Sequence, residues 1–224
     1  MLIAFDGGDG AGKTSQLKLL ADYLNENSID YYIFDMGGFE YTKKYLYNLK
    51  NHKLECSPEL RELLYYYEGR LFTDYYKRIS NATIVICDRW ILTYIAYGQF
   101  NGIELNELEF FLKDLAIPDL YFYLDVSPET TLKRIKKNRK SFSAPEIGLK
   151  NTLSNDESEN ERNFIKTQTK IKEYYENAIK NMQYSIVRIN AEQDIREIQN
   201  VIIANFIDKY EELKNNEYRY SNKQ

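Results

Sequence analysis

The segment Gly7-Gly8-Asp9-Gly10-Ala11-Gly12-Lys13-Thr14 constrains this chain more than any other. It fits the pattern G-x-x-x-x-G-K-[S/T] and sits between a strand-like and a helix-like run. Leu2-Ile3-Ala4-Phe5, bounded by Asp6-Gly7, predicts a buried strand. Leu17, Leu19, Leu20 and Leu24 recur at helical spacing after Thr14. Glycines let successive backbone N–H groups turn toward one anion, and a helix starting there offers its positive end to the same point. Gly7, Asp9, Gly10, Ala11, Gly12 and Ser15 therefore predict a cradle for a nucleoside triphosphate, ATP. Lys13 would reach the β/γ-phosphates, and the Thr14 hydroxyl would bind Mg²⁺.

The rest of the chain alternates strand and helix signals. Strands are predicted at Leu2–Phe5, Tyr31–Phe34, Thr83–Cys87, Tyr121–Leu124 and Tyr184–Ile189. Helices are predicted at about 13–26, 58–79, 104–115, 128–139, 162–182 and 192–213, with Ser57 and Ser127 as N-caps before Pro58 and Pro128. Such alternation implies an α/β fold, a five-stranded parallel sheet flanked by helices. Residues 1–213 read as one domain, 139–161 as a polar lid segment within it, and 214–224 as a polar tail. A net charge of -4 and a pI near 5.3 argue against a general nucleic-acid binder. No run is long enough to span a membrane, and no signal peptide precedes the first strand. Cys56 and Cys87 form no disulfide framework, which fits a cytoplasmic protein. A single histidine, His52, leaves little room for histidine-based catalysis.

Thr83-Ile84-Val85-Ile86-Cys87-Asp88-Arg89 carries the second strong signal. An apolar strand ending in Asp supplies the carboxylate beside Mg²⁺ in proteins with such a phosphate loop, here Asp88. Arg89 follows at the strand's carboxyl end, where ligands bind in open α/β sheets, and could clamp a phosphate. A nucleotide-hydrolysing motor or GTPase and a small kinase both fit. The chain is short and carries no Asn-Lys-x-Asp signature, which favours the kinase.

Several segments together resemble the thymidylate kinases, a family of P-loop nucleoside-monophosphate kinases. They are Phe5–Gln16; Leu63-Leu64-Tyr65-Tyr66-Tyr67-Glu68-Gly69-Arg70; Asp88-Arg89-Trp90 with Thr93, Ala96 and Tyr97; Pro118–Glu129 with Leu132-Lys133-Arg134; and Ile189-Asn190-Ala191-Glu192. The resemblance implies transfer of a phosphoryl group from ATP to dTMP, with Mg²⁺, in a homodimer. It implies that Asp9 contacts the acceptor's 3′-hydroxyl, Arg70 and Arg89 grip its 5′-phosphate, Tyr66 stacks on its base and Tyr97 packs near its sugar. It places Asn190 in the loop that receives adenine. The family draws one further arginine from either the phosphate loop or the lid. No basic residue lies between Gly7 and Gly12, so the lid must supply it: Arg139 and Arg134 first, then Arg162.

The chain departs from the family in two places. Phe34-Asp35-Met36-Gly37-Gly38 stands where the family has R-E-P-G-G, and Gly98 stands where its pyrimidine-reading Gln falls. The preferred base stays open on these residues. Asp35 keeps a deoxynucleoside kinase in view, since a hydroxyl acceptor needs a base far more than a phosphate does. A non-catalytic nucleotide-binding protein would show damage at Lys13, Thr14 or Asp88, and all three are intact.

Overall fold

The computed structural model describes residues 1–51, 57–79, 83–138, 141–148 and 153–221. Five parallel strands form one sheet in the order β2-β3-β1-β4-β5. They are β1 (Leu2–Asp6), β2 (Tyr31–Asp35), β3 (Ile84–Asp88), β4 (Leu120–Asp125) and β5 (Val187–Asn190). The helices are α1 (Lys13–Glu26), α2 (Glu40–Asn51), α3 (Pro58–Ile79), α4 (Ile91–Phe100), α5 (Leu105–Leu112), α6 (Pro128–Asn138), α7 (Glu157–Asn181) and α8 (Ile195–Ser221). β1 is buried along its whole length because it is central and covered on both faces. Its residues alternate between two cores. Leu2 and Ala4 join Val85, Cys87, Tyr121, Tyr123, Trp90 and Phe72 on one face. Ile3 and Phe5 join Ile86, Phe122, Leu17, Ile202 and Phe206 on the other.

The expected α/β class, strand number and strand direction are those observed. Ser57 and Ser127 cap α3 and α6, accepting from the amides of Leu60 at 3.1 Å and Thr130 at 3.2 Å. Two helices lie where none is predicted. α4 is buried on almost every side, so it lacks the polar–apolar period that marks a surface helix. α2 follows the Gly37-Gly38 turn, in a stretch with no predicted element.

The expected lid divides in two. Residues 139–140 and 149–152 lie outside the described residues. Ala144–Ile147 forms a 3₁₀ turn, and Phe142 and Ile147 are buried with Ile135 of α6 and Phe164 of α7. Residues 157–161, expected in the loop, belong to α7, whose Asp156 N-cap accepts from the Ser158 amide at 2.9 Å. The expected polar tail likewise continues α8 as far as Ser221.

Gly98 of α4 lets α3 pack closely. A Cβ there would collide with Tyr66 Oη and lie 2.7 Å from Leu108 Cδ2. The Tyr66 hydroxyl donates to the Tyr94 carbonyl at 3.0 Å, and its ring stacks on Phe111 with centroids 5.6 Å apart. Tyr66 thus fills the space a side chain at 98 would need. Gly98→Ala should destabilise the protein by about 1–3 kcal/mol through overpacking. Adding Tyr66→Phe should recover part of the loss. Thermal unfolding of the single and double variants measures that coupling, and strict additivity would contradict the close fit.

Candidate active site

A cavity of about 820 Å³ runs across the carboxyl ends of the strands. Asp35 and Met36, at the end of β2, line one end; Gln193 and Ile195, after β5, line the other. With strands about 4.8 Å apart, four spacings separate these ends by roughly 19 Å. Asp9, Gly10, Ala11, Gly12, Lys13, Thr14 and Ser15 line the middle.

The loop takes its shape from glycine backbones. Gly12 has φ 97° and is the N-cap of α1, and no side chain caps that helix. Its first-turn N–H groups therefore face the cavity end unclaimed by a side chain, which suits an anion. Gly7 has φ 149°, and a Cβ there would lie 2.7 Å from the Leu124 carbonyl oxygen. Lys13 Nζ donates to the carbonyls of Gly7 and Gly8, both at 2.9 Å. Burial, with repulsion from Arg89, lowers the Lys13 pKa to about 8.

Arg89 and Asp9 form an ion pair beside the loop. Arg89 has φ 73°, a left-handed backbone that costs a non-glycine residue about 1–2 kcal/mol. Its guanidinium also lies over the Tyr97 ring, 5.4 Å from the centroid. Asp9 accepts from Tyr97 Oη at 2.9 Å and from Gln168 Nε2 at 3.3 Å. Burial would raise the Asp9 carboxyl, but the charges of Arg89 and Lys13 outweigh it and hold the pKa below the ordinary value. Thr14 Oγ1 donates to Asp88 Oδ2 at 3.2 Å. A hydroxyl and a carboxylate facing one cavity form the hard-oxygen donor set that suits Mg²⁺. Asp35 stands beside Asp88 in the β2–β3 register, and burial, then the Asp88 charge, raises its pKa.

The other expected residues are placed differently. Tyr66 is 1% exposed in the core between α3, α4 and α5, so it presents no face to a bound base. Tyr65, its neighbour, lines the cavity instead. Arg70 does not line the cavity; it pairs with Asp114 at 2.7 Å. Arg134 lines the cavity but donates to the Ala191 carbonyl at 2.6 Å, at the β5 end, away from Asp88 and Arg89. Asn190 accepts from the Glu192 amide at 3.0 Å, shaping that turn, while Gln193 and Ile195 form the cavity wall. Tyr97 stands one layer back, behind Asp9. Arg162 is exposed, 3.9 Å from Asp156, and Arg139 lies outside the described residues.

Two further residues shape the site. Gln168 of α7 accepts from the Asp9 amide at 3.1 Å while its Nε2 reaches Asp9 and, at 3.4 Å, the Glu146 carbonyl of the 3₁₀ turn. Asp6, fully buried at the end of β1, accepts from the Trp90 amide at 3.1 Å and from the hydroxyls of Thr93 and Tyr121.

A family model described as "Thymidylate kinase" matches residues 5–202. The chain is 27% identical over 216 residues to the "Probable thymidylate kinase 2" of Saccharolobus solfataricus, covering 93% of this chain and 97% of that one. It is 28% identical over 221 residues to the "Thymidylate kinase" of Chlorobium luteolum, covering 95% and 99%. With the "Thymidylate kinase" of Clostridium novyi the identity is 36% over 146 residues, covering 61% and 70%.

One group near the site titrates in a useful range. Glu62 of α3 is 2% exposed and accepts from Asn101 Nδ2 at 2.9 Å. Burial raises its pKa from 4.5 to about 7, against the pull of Arg61. The folded state therefore keeps a proton that the unfolded chain gives up above about pH 4.5. Stability from this group is intact below that pH and is lost as pH rises through about 7. Glu62→Gln should therefore gain Tm relative to the parent protein on going from pH 5 to pH 8. A difference that is flat or falls with pH would contradict the raised value.

Proposed function

The chain belongs to the thymidylate kinase family, and on that premise we propose that it transfers the γ-phosphoryl group of ATP to dTMP, giving ADP and dTDP. One observation carries this reading: a single cavity holds a phosphate loop beside an Asp9–Arg89 pair, at the ends of β1 and β3. The donor lies with its phosphates along Gly10–Ser15 and its base toward Gln193 and Ile195. Arg134, fixed on Ala191, borders that base. The acceptor lies toward Asp35, Met36 and Tyr65, with Arg89 on its phosphate, Asp9 on its sugar and the Tyr65 ring against its base.

An oxygen of the acceptor phosphate attacks the γ-phosphorus. The new P–O bond forms as the β–γ bridging P–O bond breaks, and ADP leaves with that electron pair. The nucleophile is already anionic near neutral pH, so no general base is required. Lys13 and Arg89 hold the phosphates in line and spread the charge of the transition state. Arg139 is the proposed lid contribution to the same task. Thr14 and Asp88 would hold Mg²⁺, which neutralises charge on the β- and γ-oxygens. The reading includes a homodimer, supported by the exposed row of Leu60, Leu63, Tyr67 and Leu71 along α3. It also includes a cytoplasmic location; among the described residues no helix is long and apolar enough to cross a membrane.

The test is ADP release measured with dTMP, dUMP, dCMP, dGMP, dAMP and thymidine. Turnover is expected with dTMP foremost; activity on thymidine and on no monophosphate would overturn the proposal. Lys13→Ala should lower kcat by roughly two to three orders of magnitude. Lys13 also makes ATP binding proton-linked. Its pKa of about 8 should rise when phosphates replace the Gly7 and Gly8 carbonyls, so binding at pH 8.5 takes up a proton. Calorimetry in buffers of different ionisation enthalpy should show that uptake, and Lys13→Ala should abolish it.

A further inference from the structure

We propose that Arg61 is a second guanidinium contact for the acceptor nucleotide, donating to an oxygen of its phosphate or base; this rests on the kinase reading above. Arg61 and Tyr65 are one turn apart on the same face of α3. The guanidinium carbon lies 5.9 Å from the centroid of the Tyr65 ring, and Tyr65 lines the acceptor end of the cavity. The side chain is only 16% exposed. Its Nε is buried and has no hydrogen-bond partner among the described residues. An arginine carries five N–H donors, and the ion pair to Glu62, at 3.5 Å, is loose. A sequestered cation with a donor to spare is suited to an anionic or carbonyl oxygen.

Two further observations point the same way. Arg61 and Arg89 both act electrostatically on Tyr65 and on Glu62, so both guanidiniums lie within electrostatic reach of that ring. Arg70, which the motif offers for this role, is turned toward Asp114 outside the cavity. Glu62, pinned by Asn101, backs Arg61 from the core side and limits where its guanidinium can go.

Steady-state kinetics of Arg61→Gln, Arg61→Lys and Arg70→Gln, with unfolding temperatures, test the assignment. Arg61→Gln should raise the acceptor KM about tenfold or more and leave the ATP KM within about twofold. Arg61→Lys should recover part of the loss and guards against a Gln variant that fails to fold. dCMP is compared with dTMP, as a substrate or as a competing ligand. A loss confined to dTMP assigns the base O4, which cytosine lacks; a loss equal for both assigns an oxygen the two share, on the phosphate or at O2. An unchanged acceptor KM in folded Arg61→Gln overturns the proposal, as does an equal rise in the ATP KM. If the unsubstituted protein turns over no monophosphate, the kinase reading itself fails, which is a separate outcome.

Discussion

The Asp6 carboxylate is fully buried at the end of the central strand, and the turn that carries Arg89 to the cavity is held on its hydrogen bonds. Burial raises its pKa, while Thr93, Tyr121 and the Trp90 amide oppose that shift by bonding its oxygens. A buried charge is costly unless its acceptor sites are filled, and here the donors come from two parts of the fold, the start of α4 and β4. Trp90 is the N-cap of α4, Thr93 lies in its first turn, and Tyr121 lies on β4. The Arg89 amide bonds the Phe5 carbonyl at 2.9 Å and the next amide bonds Asp6 at 3.1 Å. Anchored on both sides, Arg89 is held in its left-handed conformation, and its side chain turns toward the phosphate loop. The strain sits where surrounding bonds over-determine it, as is usual at functional sites.

The same hub reaches the loop itself. Thr93 and Tyr175 hydroxyls are 2.7 Å apart, and Tyr175 Oη donates to the Gly7 carbonyl at 3.3 Å. Gly7 therefore offers one carbonyl to Lys13 and Tyr175, with Arg89 at 3.4 Å. Asp9 balances two buried cations, Lys13 and Arg89, through the charges that act on it. Phosphates bound in the cavity would compete with these internal acceptors, so the cations are already gathered and only their partners change. Gln168 extends the arrangement to the lid turn, because one amide spans Asp9 and the Glu146 carbonyl. The position of the 3₁₀ turn is thereby read at the phosphate loop.

The phosphate loop is legible in the sequence because its backbone requirement is written in glycines and its chemistry in Lys13 and Thr14. Asp88 and Arg89 are legible because a strand's carboxyl end is a fixed place in a parallel sheet. Tyr65 and Tyr66 are not separable that way. Both sit in one aromatic run, and which of them faces the cavity depends on the helical phase that Gly98, Tyr94 and Phe111 impose. Arg70, four residues after Tyr66, follows the same phase away from the site. α4 leaves no amphipathic trace because it is buried. Asp6 reads as a turn residue at a strand end until the donors brought to it by long-range packing are known. Gln168 belongs to no motif, and only the crossing of α7 over the loop gives it a role.

Sheet order fixes the division of labour between the two ends. With the phosphate loop on central β1, β3 and β2 lie on one side and β4 and β5 on the other. The β5 side is tied down. Glu192 accepts from Thr130 Oγ1 at 2.6 Å, Ser127 Oγ at 2.7 Å and the Ser127 amide at 2.8 Å, bonds that lower its pKa to about 2. Arg134 adds its bond to Ala191, so this wall is set by contacts between α6 and the β5 turn. The β2 side is built differently. Glu68 bonds the amides of Gly37 and Phe39, each at 2.6 Å, shaping the turn beside Asp35 and Met36. Here the chain departs from its family at Asp35, Met36 and Gly98, and here the Tyr65, Glu62 and Arg61 side chains cluster. On the proposed reading, the donor's base meets the fixed wall. Selectivity among acceptors would then come from the wall opposite, which is where this sequence differs.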